Sequence, residues 1–344
     1  MEERVKLSII VPVYNMASAG LLQFCMESLL SQTVSDYEII AIDNKSTDRS
    51  LEILRKFEND NPGKVVVIES GKNRGQGGAA NRGLLAAKGE WIGFVNGDDW
   101  VTKDYYEKLL AKADETGADV VGCNRTVTEK LSFEAGEVIK NDFLNLTGEL
   151  TEEDYAKLIL NPGDRVAKIF RREIFSDNGL WFPEDMYYPD YCISPLAMLC
   201  CRHFEYVDEP NYFSCKKPEN VSIQKCEDGM TAMIYFIEEC IKREYLSEYP
   251  EEIEYRFTEV FYINTLFSFM HGMPFYKKHL SFLYTLRDGI LSCFPDFMEN
   301  PYYLKNTDDE TKRLLTLHMK SPLRFYWYYE ALMTNRKLFR RKAK

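Results

Sequence analysis

Apolar residues in the first part of the chain fall in short continuous runs separated by stretches of helical spacing. Leu7 to Val11, Tyr37 to Ile42, Val65 to Glu69 and Ile92 to Val95 are rich in β-branched and aromatic residues. Such runs predict strands covered on both faces. Pro12 is expected to end the first. Between them, Leu22, Cys25, Met26, Leu29 and Leu30 recur at helical spacing. A second helix is expected from a cap at Thr47 or Asp48 to about Glu58, and a third from the end of the Gly71 to Gly78 loop through Ala87. Strict alternation of strand and helix predicts βαβ units and a mostly parallel sheet.

Beyond it the pattern loosens. Leu109 to Ala113 predicts a helix and Ala118 to Cys123 a strand. Segment 124–150 reads as a hairpin or an excursion. Thr151 to Leu160 predicts a helix with Thr151 as cap and Asp154 in a capping-box position. From about Glu227, the stretches Met230 to Glu244, Glu251 to Met270, His279 to Phe294 and Thr307 to Met319 are helical in period. The pattern therefore divides the chain into an α/β domain, 1–225, and a C-terminal helical region, 226–344.

Composition narrows the class. With 344 residues, 45% apolar and 28% charged, the chain is globular and long enough for one large or two modest domains. A net charge of −11 argues against a nucleic-acid partner. Nine scattered cysteines without a CxxC pair fit a reducing compartment rather than a disulfide framework or zinc site. No apolar run reaches a membrane span, and the N-terminus lacks a signal peptide's apolar region. A cytoplasmic location is expected.

Candidate chemistry starts at Gly89 to Trp100, GEWIGFVNGDDW. The run ends at the turn dipeptide Asn96-Gly97, and the adjacent acids Asp98 and Asp99 follow. Alone, the acid pair reads first as a solvated turn. Burying unpaired carboxylates is costly, whereas hard oxygen ligands suit Mg²⁺ or Mn²⁺ with a ligand's phosphates completing the shell. Ligands of parallel sheets bind beyond the carboxyl ends of the strands. Three polar clusters fall there, Pro12 to Asn15, Asp43 to Ser46 and Asn96 to Asp99. That convergence favours a site. Neither GxxxxGK[ST] nor a GxGxxG after the first strand is present.

This constellation resembles the family 2 glycosyltransferases. The matching pieces are SIIVPVYN (Ser8 to Asn15), SLLSQT (Ser28 to Thr33), YEIIAIDNKSTDRS (Tyr37 to Ser50), NRGQGGAANRGLLAAKGEWIGFVNGDDW (Asn73 to Trp100) and an acidic stretch within Gly163 to Leu199. The resemblance implies the GT-A nucleotide-diphospho-sugar fold and metal-dependent, inverting transfer of a hexosyl residue from a UDP-sugar. The acceptor would be a hydroxyl of a glycan or a lipid-linked glycan, in cell-surface polysaccharide synthesis. Pro12, Tyr14 and Asn15 would line the base, and Asp43 would accept a hydrogen bond from the uracil N–H. Asn73, Gly75 and Asn81 would border the donor. Asp98 would hold ribose or sugar hydroxyls, and Asp99 the Mn²⁺ or Mg²⁺. Asp190 would be the base, with Glu184 and Asp185 as rivals and a plain helix start at Asp190 as the structural alternative. Asn220 to Ser222, with Lys216 and Lys217, would close over the diphosphate. The sequence departs from the family at Asn96 and Pro189, where acids are frequent, and at Ala80, where Arg is frequent. A non-catalytic sugar-nucleotide-binding protein on the same fold is the competing reading.

The helical region would serve acceptor recognition or pairing into a homodimer. Its aromatic residues, such as Phe257, Phe261, Phe267 and Phe269, are expected in the core. From Arg324 to Lys344 seven basic residues face one acid, Glu330, leaving −17 on the rest of the chain. The aromatic run Phe325 to Tyr329 precedes that cluster. The combination suits a peripheral contact with anionic lipid at the inner face of the cell membrane.

Overall fold

A computed structural model describes residues 5–134, 136–140, 145–216 and 221–342, with side chains as far as Thr334. The chain forms two compact units, Met1–Pro218 and Glu219–Lys344.

The first unit opens with β1 (Leu7–Val13), α1 (Leu21–Leu30), β2 (Tyr37–Asp43), α2 (Ser50–Asp60), β3 (Val65–Glu69), α3 (Gly75–Ala86) and β4 (Trp91–Phe94). It continues with β5 (Trp100–Val101), α4 (Tyr105–Thr116), β6 (Val120–Thr128), β7 (Glu137–Ile139), β8 (Gly148–Glu149) and α5 (Glu152–Leu160). It closes with β9 (Lys168–Arg171), α6 (Glu173–Ser176), α7 (Asp190–Leu199) and β10 (His203–Cys215). The strands make one sheet in the order β3-β2-β1-β4-β9-β6-β10-β5, with β7 on β6 and β8 on β10.

β1 to β4 pair in parallel, as the alternation predicts. The far half is mixed, because β9 runs antiparallel to both neighbours and β5 antiparallel to β10. β6 and β7 form an antiparallel pair within segment 124–150. One face of β1 packs Leu7, Ile9 and Val11 with Leu22, Met26 and Leu29 of α1. On the other, Gly83 of α3 lies so close that a Cβ there would meet Ile10 at 2.3 Å. Cover on both faces is why these strands read as unbroken apolar runs.

Three local expectations change. Pro12 does not end β1, which continues to Val13. Pairing with β4 stops at Ile10 opposite Phe94, so the missing N–H of Pro12 breaks no ladder on that side. α2 starts at Ser50 rather than at Thr47 or Asp48. Asp48 nevertheless accepts from the Ser50 and Ala17 N–H groups, each at 2.9 Å, and so ties the loop after β1 to this helix. α3 begins inside the Gly-rich stretch, at Gly75. The reciprocal Thr151–Asp154 capping box is present at α5.

The second unit is helical. Ser222 caps α8 (Ile223–Lys242) through the Lys225 N–H. Asn220 and Lys217 lie outside the described residues. Pro250–Phe257 and Thr265–Gly272 are α-helical and joined by a π-helical stretch, Thr258–Asn264. Leu280–Cys293, Asp309–Lys320 and Pro322–Lys342 follow after short 3₁₀ and helical segments. Phe257 stacks on Phe261 and Phe269 on Phe282, both at 4.5 Å, inside the core. In the last helix Phe325, Tyr326 and Tyr329 are buried, whereas Leu323, Trp327 and Tyr328 are exposed. The aromatic run therefore divides between core and surface. The side chains of the basic residues from Arg336 onward lie outside the described residues. No helix among the described residues is long and apolar enough to cross a membrane.

Candidate functional site

Asp43 ends β2 in register with Val13 at the end of β1. One strand over, β4 stops at Phe94 and the chain turns at Asn96 and Gly97. The parallel register thus gathers the three polar clusters on the carboxyl rim. Asp43 is buried. Its Oδ2 accepts from the Ser46 N–H at 3.2 Å, and its Oδ1 is buried without a hydrogen-bond partner. A buried carboxylate oxygen without a donor is an exception in folded proteins. It leaves a place for an N–H from a ligand.

Tyr14 is 44% exposed at the rim, and Pro12 is buried beneath it in β1. Asn15 adopts φ +53°, accepts from the Thr47 N–H at 2.7 Å and donates its own N–H to the Ser46 Oγ at 3.1 Å. Asn15 therefore fastens the loop after β1 to the loop after β2.

Asp99 is buried with its carboxylate held by the protein. Oδ1 accepts from the Cys215 N–H at 3.0 Å. Oδ2 accepts from the Tyr212 hydroxyl at 2.7 Å and from Asn96 Nδ2 at 2.9 Å. Burial first, and the charge of Asp98 second, push its carboxyl up to about 7, against the pull of those donors. A carboxyl so raised beside a second acid is a place where a cation would relieve the strain on the charged form. Among the described residues no three His, Cys, Asp or Glu side chains converge. Two acids suit Mg²⁺ or Mn²⁺, which keeps waters and takes phosphate oxygens. Asp98 stands next to it in the chain, so the two acids present one turn to a cation.

Asn96 is the hub. Its Oδ1 accepts from Gln76 Nε2 at 2.7 Å and from Arg165 Nη2 at 3.0 Å. An aspartate here could not donate to Asp99, so the family departure is matched to this network. The Arg165 side chain is 3% exposed and lies over the rings of Phe94 and Phe182, at 5.6 and 5.8 Å. Its Nη1 donates to Asp190 Oδ2. Asp190 is the first residue of α7, and its Oδ1 is buried without a partner. A line of hydrogen bonds thus runs from Tyr212 through Asp99, Asn96 and Arg165 to Asp190.

The other candidates take structural positions. Asn81 donates Nδ2 to the Phe182 carbonyl and accepts from the Phe182 N–H, both at 2.9 Å, so its amide clamps that segment. Asn73 accepts from Asn44 Nδ2 at 2.8 Å and from the Gly75 N–H at 2.9 Å, and so shapes the start of α3. Gly75, at φ +70°, and Gly77 admit the chain's own backbone. A Cβ at Gly77 would meet the Pro183 carbonyl at 2.1 Å, and one at Gly75 the Met186 carbonyl at 2.9 Å. The rivals for the base are engaged in the same contact. Glu184 pairs with Arg74 at 2.7 Å and Asp185 with Lys72 at 3.3 Å.

Asn44, Arg165 and Tyr212 were given no role by sequence reasoning. Asn44 follows directly on Asp43, and its amide also reaches the Gly75 carbonyl at 2.8 Å. Arg165 carried no local signal beyond a charge just before an apolar strand. Tyr212 lies in an aromatic strand and joins the site only through Asp99, 113 residues earlier in the chain.

A model of the family described as glycosyl transferase family 2 matches residues 8–179. The putative glycosyltransferase EpsH of Bacillus subtilis is 33% identical over 219 residues, 61% of this chain and 60% of that protein. The poly(ribitol-phosphate) beta-glucosyltransferase of Bacillus spizizenii is 34% identical over 186 residues, 52% of this chain and 27% of that protein. The chain spans about three fifths of the length of the first curated relatives it matches. S. aureus TarS 1-349, solved in complex with UDP-GlcNAc, superposes with a TM-score of 0.72 at 22% identity, covering 96% of this chain and 92% of that one. That likeness establishes the GT-A α/β fold with its helical C-terminal region.

Proposed function

The chain belongs to glycosyl transferase family 2, and on that premise we propose that it transfers a hexosyl residue from a UDP-sugar, with inversion, to a hydroxyl of a glycan or lipid-linked glycan. The observation that carries the reading is the hydrogen-bonded line from Asp99 through Asn96 and Arg165 to Asp190. It supports Asp190 as the base, since it ties that carboxylate to the turn that carries the paired acids. Asp43 supplies the unpartnered acceptor for the base's N–H, beside Tyr14 and Pro12. Asp98 would hold Mn²⁺ or Mg²⁺, with Asp99 braced behind it. When bound, the cation offsets charge on the leaving diphosphate. Asp190 takes the acceptor hydroxyl's proton while Arg165 holds its carboxylate, which is thereby oriented as the hydroxyl oxygen attacks the anomeric carbon. The glycan or lipid linkage of the acceptor is consistent with the basic tail, which would seat on anionic lipid.

The test is UDP release from a panel of UDP-sugars with Mn²⁺ and with a chelator. Release from one UDP-sugar, lost on chelation, is expected. Binding of UDP without turnover of any donor would favour the non-catalytic reading, and failure to bind UDP would end both.

A further inference from the structure

We propose that Tyr187, Tyr188 and Tyr191, which flank Asp190, form the acceptor subsite, and that it takes a neutral pyranose ring rather than a polyol phosphate. This rests on the transferase reading above. Tyr187 is 50% and Tyr188 38% exposed, so two adjacent rings present aromatic surface in one short segment. The Tyr188 and Tyr191 rings stack at 5.0 Å with planes 9° apart, and Tyr187 lies 6.2 Å from Tyr188. The rings therefore form a small aromatic cluster within three residues, along the chain, of Asp190, whose carboxylate would accept the hydroxyl proton.

The backbone places this platform against its own preference. Tyr188 has φ +59° and precedes Pro189, where a bulky residue is doubly disfavoured. The Tyr191 N–H to Tyr188 carbonyl bond, at 3.1 Å, holds the turn. Upstream, the Asp185 N–H donates to the Arg74 carbonyl at 2.8 Å and anchors the segment on α3. The result is a tight turn that leaves the Tyr187 and Tyr188 rings partly exposed.

Charge selects between acceptors. The segment carries Glu184, Asp185 and Asp190, and the cations that reach it are already paired. Arg74 is on Glu184, Lys72 on Asp185 and Arg165 on Asp190. A phosphodiester would have to draw these cations away from the carboxylates that already hold them. A pyranose is neutral, and its flat C–H face suits the electron-rich face of an aromatic ring.

The test uses saturation-transfer NMR on the full chain with UDP and Mn²⁺. The probes are methyl β-D-glucopyranoside, methyl N-acetyl-β-D-glucosaminide and ribitol 5-phosphate. At least one pyranoside should receive saturation and ribitol 5-phosphate should not. Tyr188→Ala and Tyr191→Ala should each weaken pyranoside binding about fivefold, the scale of one aromatic stacking contact. Tyr188→Phe should bind like wild type, because the ring and not the hydroxyl makes the contact. Binding of ribitol 5-phosphate alone, unchanged pyranoside affinity in both alanine variants, or equal loss in Tyr188→Phe would each overturn the platform. Failure of the wild-type protein to bind UDP would instead overturn the donor reading, and the platform with it.

Discussion

Replacing Asp98 with asparagine is expected to stabilise the ligand-free protein above pH 7 while removing its response to Mn²⁺. Asp99 is buried, and its carboxyl is pushed from 3.8 up to about 7, first by burial and second by Asp98. At about 1.4 kcal/mol per unit, the whole rise corresponds to about 4 kcal/mol. The folded protein holds this proton where the unfolded chain has lost it. Stability therefore falls as pH rises from about 4 to about 7 and is level above that window. Asp98 is the smaller of the two raising causes, so its removal is worth on the order of 1 kcal/mol at pH 8. At pH 5, Asp99 is protonated and the substitution should change little. Urea unfolding at pH 5 and pH 8, with and without Mn²⁺, reads all of this. Wild-type protein should gain stability from Mn²⁺ at pH 8, about 2.7 kcal/mol at a hundredfold excess over the dissociation constant, and less at pH 5. Asp98→Asn should gain almost none. A variant that is less stable than wild type at pH 8, or that keeps the full Mn²⁺ effect, would refute the reasoning.

Asp190→Asn should retain UDP affinity and lose transfer about 10²-fold or more, read by steady-state UDP release; Asp185→Asn showing that loss instead would move the base along the segment. Asn81→Leu deletes the clamp on Phe182 and should cost about 2–3 kcal/mol in chemical unfolding, because it leaves the Phe182 backbone groups buried and unpaired. UDP affinity well below what that destabilisation explains would return Asn81 to the donor site. A chain ending at Thr334 should fold, since Phe325 and Tyr329 remain in the core, yet fail to float with anionic vesicles at low salt. The full chain should float at low salt and be released at high salt, and equal behaviour of the two would remove the basic tail's proposed contact with lipid.

Local pattern along the chain is enough to specify the parallel half of the fold and the rim on which the polar clusters meet. Local rules suffice there. Continuous apolar runs mark strands covered twice, helical spacing marks the crossovers, and parallel pairing places every carboxyl end on one edge. The Thr151–Asp154 capping box was legible for the same reason, since both partners lie within one turn.

What a given polar side chain does was decided only by tertiary contact. Asp98 and Asp99 are neighbours with one chemistry. Only the approach of β10, 113 residues along, turns the Tyr212 hydroxyl onto Asp99 and makes it a braced, buried acid. Asn81 and Phe182, 101 residues apart, carry no mutual signal in one dimension, so only the fold shows the amide clamping that segment. Gly75 and Gly77 admit the Met186 and Pro183 backbone, and no sequence rule says which backbone will come close. Arg165 joins Asp190 to Asn96 across 25 and 69 residues. Periodicity records the environment of a residue's own segment. The partner of a buried charge belongs to whichever segment packs against it, and that is settled only when the sheet closes.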